Sequence, residues 1–376
     1  MTLLTDDQRQ LHDMAKSFLA EEGTIKQQLR HWRDTGCKDG FGHGLWKQFA
    51  ELGLTGIAIP EDKGGLGLGA TEAALVLEEV GRNLTPSPFL TTAVAAVRAL
   101  EGTAQGDRWF PGILAGETVA ALAVDEGRHH RPDAVATTAT RSGNGFTLSG
   151  SKQFVVHGAS ADVILVAART GGSAGEREGL TLFAVERDAA GLEIENVALA
   201  DHSKAARLTL SDVAVDADAV VGEVDGGWTP LQRALSAGRA GSAAELVGVA
   251  TGSADMTTDY LKARKQFGKL IGEFQSLQHR AAHLFSEIEI ARAAAYKAAE
   301  LLDAGSDRAE LMVHVAKAKA GRAAALSVQE GVQMHGGIGM TDEHDIGLYM
   351  KREAVLGELL GDVRFHRNRV AELSGY

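Results

Sequence analysis

The chain has 376 residues, 44% hydrophobic and 23% charged, which suffices for two or three packed domains and excludes a chain that is mostly disordered. A net charge of −12 and a pI near 5.6 argue against a non-specific nucleic-acid binder, which needs a basic surface to displace phosphate counterions. A single cysteine, Cys37, permits neither an internal disulfide nor a cysteine-based metal site and suits a reducing cytoplasm.

The first residues turn polar within five positions, and no run of about eighteen apolar residues occurs, so neither a signal peptide nor a membrane span is expected. From Asp6 to about Ala115 apolar residues recur at helical spacing, as in Leu11, Met14 and Phe18 and later Leu75, Leu77 and Val80. Within this helical domain, "IPEDKGGLGLGATEAA" reads as a glycine-rich loop, with Thr71 as the N-cap of a helix running to Arg82. Between about Glu117 and Asp225 the period becomes two: "FTLSGSKQFVV", "DVILVAA", "LTLFAVE" and "ARLTLSDVAV" are short strands rich in β-branched residues. Asn144-Gly145 is placed in a tight hairpin turn before the first of them. The segment "RHHRPD" at 128–133 reads as a solvated loop rather than a metal site.

After Trp228 helical character resumes, with Leu277, Ala281, Leu284, Phe285 and Ile288 expected to form one apolar stripe in an alanine-rich helix. The expected fold is mainly α with a central β domain. Its divisions are an N-terminal helical domain (1–116), a middle β domain (117–226) and a C-terminal helical bundle (227–376).

Three segments carry more specific information: "GLTGIAIPEDKGGLGLG" at 53–69, "RKQFGKLIGEFQSLQH" at 264–279 and "QMHGGIGM" at 333–340. In this order and within this domain pattern, the whole chain resembles the acyl-CoA dehydrogenase family. The resemblance implies a three-domain fold with a β-barrel-like middle domain and a C-terminal four-helix bundle. It also implies an oligomer, usually a tetramer, and FAD as cofactor. The implied reaction is oxidation of an acyl-CoA to the 2,3-enoyl form, with electron-transfer flavoprotein as acceptor. Arg264 would grip a pyrophosphate across a subunit boundary, with Phe267 and Gln275 beside it. Gln333, Gly336 and Gly337 would bring bare backbone to the same dinucleotide. Phe154, Val155 and Val156 replace the Trp-Ile-Thr strand that lies against the flavin ring, and Arg239 would serve the substrate.

Two family features are missing. The loop that usually reads Thr-Glu-Pro-Gly-Ala-Gly-Ser-Asp corresponds to "AVDEGRHHRPDAVATT", without the proline, the small residues or the serine. Counted without gaps from Gly336-Gly337, the family's Tyr-Glu-Gly-Thr falls on Leu359-Leu360-Gly361-Asp362, so leucine stands where a glutamate takes the α-proton. The family's second address for that glutamate is Gly238. Glu245 and Asp362 are the candidate catalytic carboxylates that remain, with Glu358 behind them. The pattern leaves three expectations open: a dehydrogenase with a relocated base, as a homodimer or homotetramer; a non-catalytic subunit of a hetero-oligomer that lends FAD contacts to a related chain; and, third, a flavin monooxygenase on the same fold.

Overall fold

The computed structural model describes residues 4–376. The first helices are α1 (Asp6–Glu21), α2 (His31–Asp34), α3 (His43–Glu51), α4 (Ala70–Arg82), α5 (Val97–Leu100) and α6 (Ala104–Leu114). Strands follow as β1 (Ala120–Ala123), β2 (Thr138–Ser142), β3 (Gly145–Val156), β4 (Val163–Arg169), β5 (Leu180–Glu186), β6 (Leu192–Ala198) and β7 (Lys204–Asp216). The chain then forms α7 (Trp228–Ala263), a small hairpin of β8 (Lys265–Gln266) and β9 (Lys269–Leu270), α8 (Gln275–Asp303), α9 (Ala309–His335), α10 (Ile346–Glu358) and α11 (Val363–Leu373). This is the expected mainly α architecture, with the sheet strands in the middle of the chain.

The chain divides into two compact units. A helical unit takes the residues up to His31, Ala70–Pro86 and Arg239–Tyr376, and a sheet unit takes Trp32–Gly69 and Ser87–Gly238. In the sheet unit the strand order is β1-β4-β2-β3-β7-β6, with β5 paired to β4. Strand β4 is buried along its whole length, which explains its unbroken run of apolar residues. Strand β3 is long and exposed on part of one face, and two register shifts against β7, at Leu148/Gly150 and Lys152/Val155, bend it. The weakly patterned β1, β2 and β6 were not among the strands expected from sequence.

The helical unit rests on close helix crossings. A Cβ on Gly81 of α4 would lie 2.1 Å from the Glu245 carbonyl, and one on Gly248 of α7 would lie 1.9 Å from the Glu78 carbonyl. Only glycine lets these backbones approach so closely. Glu78 sits buried at this crossing, accepting from Tyr296 Oη and Arg292 Nε, each at 2.9 Å.

Three local expectations need correction. Thr71 is not the N-cap of α4, because the helix already begins at Ala70. The Asp303 carboxylate accepts from Ala70 N at 2.6 Å, Thr71 N at 2.9 Å and Thr71 Oγ1 at 2.7 Å, so a side chain from the end of α8 satisfies the amides that a local cap would take. The β2–β3 turn is Gly143-Asn144 rather than Asn144-Gly145. Ser142 pairs with Gly145, and the positive φ (58°) falls on Gly143, the first loop position, as in a type II′ turn. Phe285 leaves the stripe of α8: Leu284 and Ile288 are buried, whereas Phe285, about 100° further round the helix, is 67% exposed.

Candidate active and cofactor site

Leu360, the residue on which the gap-free count places the family's glutamate, lies in the turn between α10 and α11. Leu359 ends α10, Leu360 is left-handed at φ 59°, Gly361 has φ 113°, and Asp362 starts α11. A Cβ on Gly361 would meet Phe365 Cδ1 at 2.5 Å, so both conformation and space require glycine there. Arg239 is buried, donates from Nε to the Leu360 carbonyl at 3.2 Å, and lies with its guanidinium carbon 5.3 Å from the centre of the Phe365 ring.

Each remaining carboxylate has a place of its own. Asp362 caps α11, its Oδ1 accepting from Phe365 N at 2.6 Å. Glu245 is 2% exposed in the middle of α7, and its Oε1 accepts from Arg352 Nε at 3.0 Å and also from the Arg352 terminal nitrogen. That pairing joins α7 to α10. Glu358 is exposed at the end of α10. An open cleft of about 810 Å³ runs beside the turn, lined by Glu353, Glu358, Asp362, Arg364 and Arg367 among others.

A second constellation of the helical unit lies where α7, α8 and α9 end or begin. Arg264 follows α7 directly and is exposed, as is Gln275 at the start of α8. Between them Phe267 (φ 55°) and Gly268 (φ 81°) form the turn of the β8–β9 hairpin, leaving the Phe267 ring 91% exposed. The Arg264 guanidinium has no partner among the described residues. Gln333, Gly336 and Gly337 are exposed at the end of α9. Gly336 adopts φ 64°, ψ −138°, open essentially to glycine alone. A Cβ on Gly337 would touch nothing within 4 Å, so no packing inside the described chain explains that glycine. Both groups share one apolar root: Leu261 of α7, Leu284 of α8 and Met334 of α9 form a buried cluster, with Ile271 and Leu277 packed on it.

His335 stacks on Tyr260 at 4.4 Å between ring centres and donates from Nδ1 to the Gly331 carbonyl at 2.7 Å. Burial lowers its pKa, against the pull of that hydrogen bond and with help from nearby His344. The exposed cation, the exposed aromatic ring and the bare backbone of Gly337 fit a dinucleotide such as FAD, whose phosphates would take Arg264 and whose close approach Gly337 permits.

The sheet unit holds the other predicted cofactor residues. Val155 and Val156 are buried in its core, while Phe154 sits at the second β3 bulge with φ 53° and a half-buried side chain. Of the three, Phe154 is the one with side-chain surface to offer. The loop that departs from the family pattern is anchored from within. Glu126 accepts from Ala136 N at 2.7 Å, Thr137 N at 2.9 Å, Thr137 Oγ1 at 2.6 Å and Lys152 Nζ at 2.8 Å, and Asp125 holds His130 at 2.8 Å. Burial opposes ionisation of Glu126, yet the Lys152 charge and these hydrogen bonds outweigh it and hold the carboxyl below its usual range.

Sequence reasoning missed Lys317, His314 and Arg352, and placed His366 only as a neighbour of Asp362 in the chain. Lys317 left one signal: it lies on the inward stripe with Val313, Ala320 and Ala324, where a charge is out of place. Burial pushes its ammonium pKa down to about 7, against the opposing charges of Glu358 and Glu353. Arg352 left none, being 107 residues from the carboxylate it holds.

Family profiles for the acyl-CoA dehydrogenase N-terminal, middle and C-terminal domains match residues 5–117, 124–213 and 225–374. The chain is 30% identical over 378 residues to the mitochondrial short/branched chain specific acyl-CoA dehydrogenase of Bos taurus, covering 98% of this chain and 85% of that protein. Among solved structures, a variant of the steroid acyl-CoA dehydrogenase Tcur3481–Tcur3483 matches with a TM-score of 0.88 and 30% identity over 98% of each chain. Butyryl-CoA dehydrogenase from Megasphaera elsdenii matches with a TM-score of 0.90 and 26% identity, over 100% of this chain and 99% of that one.

Proposed function

The chain belongs to the acyl-CoA dehydrogenase family, and from that premise we propose that it works as one subunit type of a hetero-oligomer whose related partner chain supplies the proton acceptor. It is an FAD-dependent acyl-CoA dehydrogenase, of the class that oxidises an acyl-CoA thioester to the 2,3-enoyl-CoA. When bound, the flavin supplies the acceptor for the hydride leaving Cβ. The observation that carries the proposal is the state of the carboxylates: Glu245 is engaged by Arg352 and Asp362 serves as a helix cap, and the gap-free count of the sequence puts leucine where the acceptor is expected. Arg264, Phe267, Gln333, Gly336 and Gly337, by contrast, stay open at the surface, as residues lent to a neighbouring subunit would be. The two-part designation of the similar steroid enzyme agrees with an assembly of two chain types.

In this reading Arg264 grips the pyrophosphate with the Phe267 ring beside it, and Arg239 acts by fixing the α10–α11 turn; Phe154 offers an aromatic face within the sheet unit. Electron-transfer flavoprotein takes the electrons, and the lone cysteine suits a cytoplasmic setting. Among the described residues no helix is long and apolar enough to cross a membrane.

Flavin content tests the proposal. Purified alone, the chain is expected to carry little FAD; mixed with a related chain that retains the glutamate, it gains flavin that acyl-CoA bleaches anaerobically. Arg264→Met in this chain should weaken flavin binding by the mixed complex roughly 10–100-fold, the equivalent of about 1.5–3 kcal/mol for a charge-assisted contact. A lone chain with stoichiometric FAD that acyl-CoA reduces would sink the proposal and place the acceptor within this chain, at Glu245 or Asp362.

A further inference from the structure

Two polar side chains of α9, one turn apart, reach the α10–α11 turn from inside the bundle. Lys317 is 1% exposed, and its Nζ donates to the carbonyl oxygens of Leu356 at 2.9 Å and Gly357 at 3.1 Å. Both belong to the last turn of α10, where carbonyls lack intrahelical partners and the helix dipole favours a cation. His314 is 1% exposed, and its Nδ1 lies 2.7 Å from Nδ1 of His366, which is fully buried in the first turn of α11. One nitrogen of that pair donates and the other accepts. Arg239 holds the Leu360 carbonyl from α7, and Asp362 caps α11. The turn is thus gripped from α7, α9 and α11.

What the grip maintains is a strained backbone. A left-handed leucine costs about 1–2 kcal/mol and persists only where its surroundings over-determine it. A buried lysine is itself unfavourable, as the fall of its pKa towards 7 shows. The bundle carries both features at the one turn where the family's proton acceptor stands.

We propose that Lys317 is a positioning residue: with His314 on the same face of α9, it clamps the turn so that Leu360 keeps the backbone geometry of the acceptor position. The proposal rests on the reading above that Leu360 occupies that position. The contacts that form the clamp all lie within this chain.

Hydrogen exchange of the full chain tests the clamp without a ligand. A peptide spanning Leu359–His366 should exchange as slowly as the buried middle of α9. In Lys317→Met it should exchange at least tenfold faster, with Ala291–Ala299 of α8 unchanged. An unchanged turn in the variant, or equal acceleration everywhere, overturns the proposal. Should Lys317→Met fail to fold, a wild-type turn that exchanges as fast as the exposed α8–α9 connection overturns it equally.

Leu360→Glu separates the clamp from the reading beneath it. In the FAD-loaded complex in D2O, the new carboxylate takes the Cα proton of a saturated acyl-CoA. The C–H electron pair delocalises onto the thioester oxygen, and a deuteron returns to Cα from the exchanged carboxyl group. Deuterium wash-in above that of the unmodified complex is expected. It should be at least tenfold slower in the double variant Leu360→Glu/Lys317→Met, with the Kd for acyl-CoA unchanged. Equal wash-in in the single and double variants overturns the role of Lys317. No wash-in from a Leu360→Glu chain whose turn stays protected overturns the placement of Leu360 instead, and with it the reading beneath the clamp.

Discussion

The α10–α11 turn and the paired ends of α7 and α9 are both irregular, glycine-bearing segments of the helical unit, yet they spend their polar groups in opposite ways. In the turn, the Leu356, Gly357 and Leu360 carbonyls, the Asp362 carboxylate and the facing Nδ1 atoms of the histidine pair find partners inside the chain, and Gly361 is required by its own neighbours. At the α7 and α9 ends Arg264 projects into solvent, Phe267 is almost bare, and nothing in the described chain fills the space beside Gly337. One region is finished; the other is left open. A group that already has a partner holds structure, whereas open donors and unexplained glycines mark where a ligand or a second chain belongs.

The strongest way to break this comparison is to remove a partner from the finished region. Arg352→Met leaves the Glu245 carboxylate buried without its cation and should destabilise the chain by about 3–5 kcal/mol, read from denaturant unfolding. Glu245→Gln should also destabilise, by removing the anion from Arg352. If instead Glu245→Gln leaves stability intact and abolishes turnover, Glu245 is a working base and the division between the regions fails.

The pH dependence of unfolding comes next. The pKa of Lys317 is about 7 in the folded chain and near 10.5 when unfolded, so between those values the unfolded state binds a proton that the folded state does not. Stability therefore rises with pH across that window, by at most about 1.4 kcal/mol per pH unit from one group, and the buried charge is least favourable below pH 7. Lys152, also lowered by burial against the pull of Glu126, adds a contribution of the same sign. Lys317→Met should thus reduce the slope without abolishing it; a slope unchanged by the substitution would show that Lys317 stays charged in the fold.

Much of this was legible in the sequence, for reasons that differ by element. The strands at 163–169 and 180–186 announce themselves because full burial demands continuous apolar residues, and the Arg264 and Gly336-Gly337 segments are local motifs readable without partners. Strand β1 was silent because four residues, mostly alanine, carry too little pattern, and β2 and β6 because they are short and largely exposed. The roles of Glu245, Thr71 and Asp362 depend on what faces them. Arg352 and Asp303 arrive from far along the chain, and the cap on Phe365 N exists only because α11 starts where it does. A carboxylate in an apolar stretch looks identical in sequence whether it waits for a proton or already holds an arginine.

Paired glycine substitutions sharpen the contrast at a smaller scale. Gly361→Ala forces a Cβ against Phe365 at a φ of 113° and should cost about 1–3 kcal/mol of stability. Gly337→Ala meets nothing in the described chain and should leave stability within about 0.5 kcal/mol while weakening FAD binding by the assembled complex. Thermal unfolding and flavin titration of the two variants separate the regions directly; comparable stability losses in both would mean that the space beside Gly337 is already filled by the protein itself.

Within the finished region the smallest effect is expected at Asp362, and it is the most discriminating for the chemistry. As an N-cap, its carboxylate satisfies one otherwise unpaired amide of α11, so Asp362→Ala should cost about 1 kcal/mol and Asp362→Asn less, since an amide oxygen caps nearly as well. A proton acceptor would show the reverse pattern: Asp362→Asn keeps the cap but cannot take a proton, so turnover would collapse while stability held. Measured side by side in the assembled enzyme, stability tracking the cap and turnover surviving in the Asn variant places Asp362 with the finished region. Loss of turnover in Asp362→Asn alone would move the acceptor into this turn and remove the need for a partner's carboxylate.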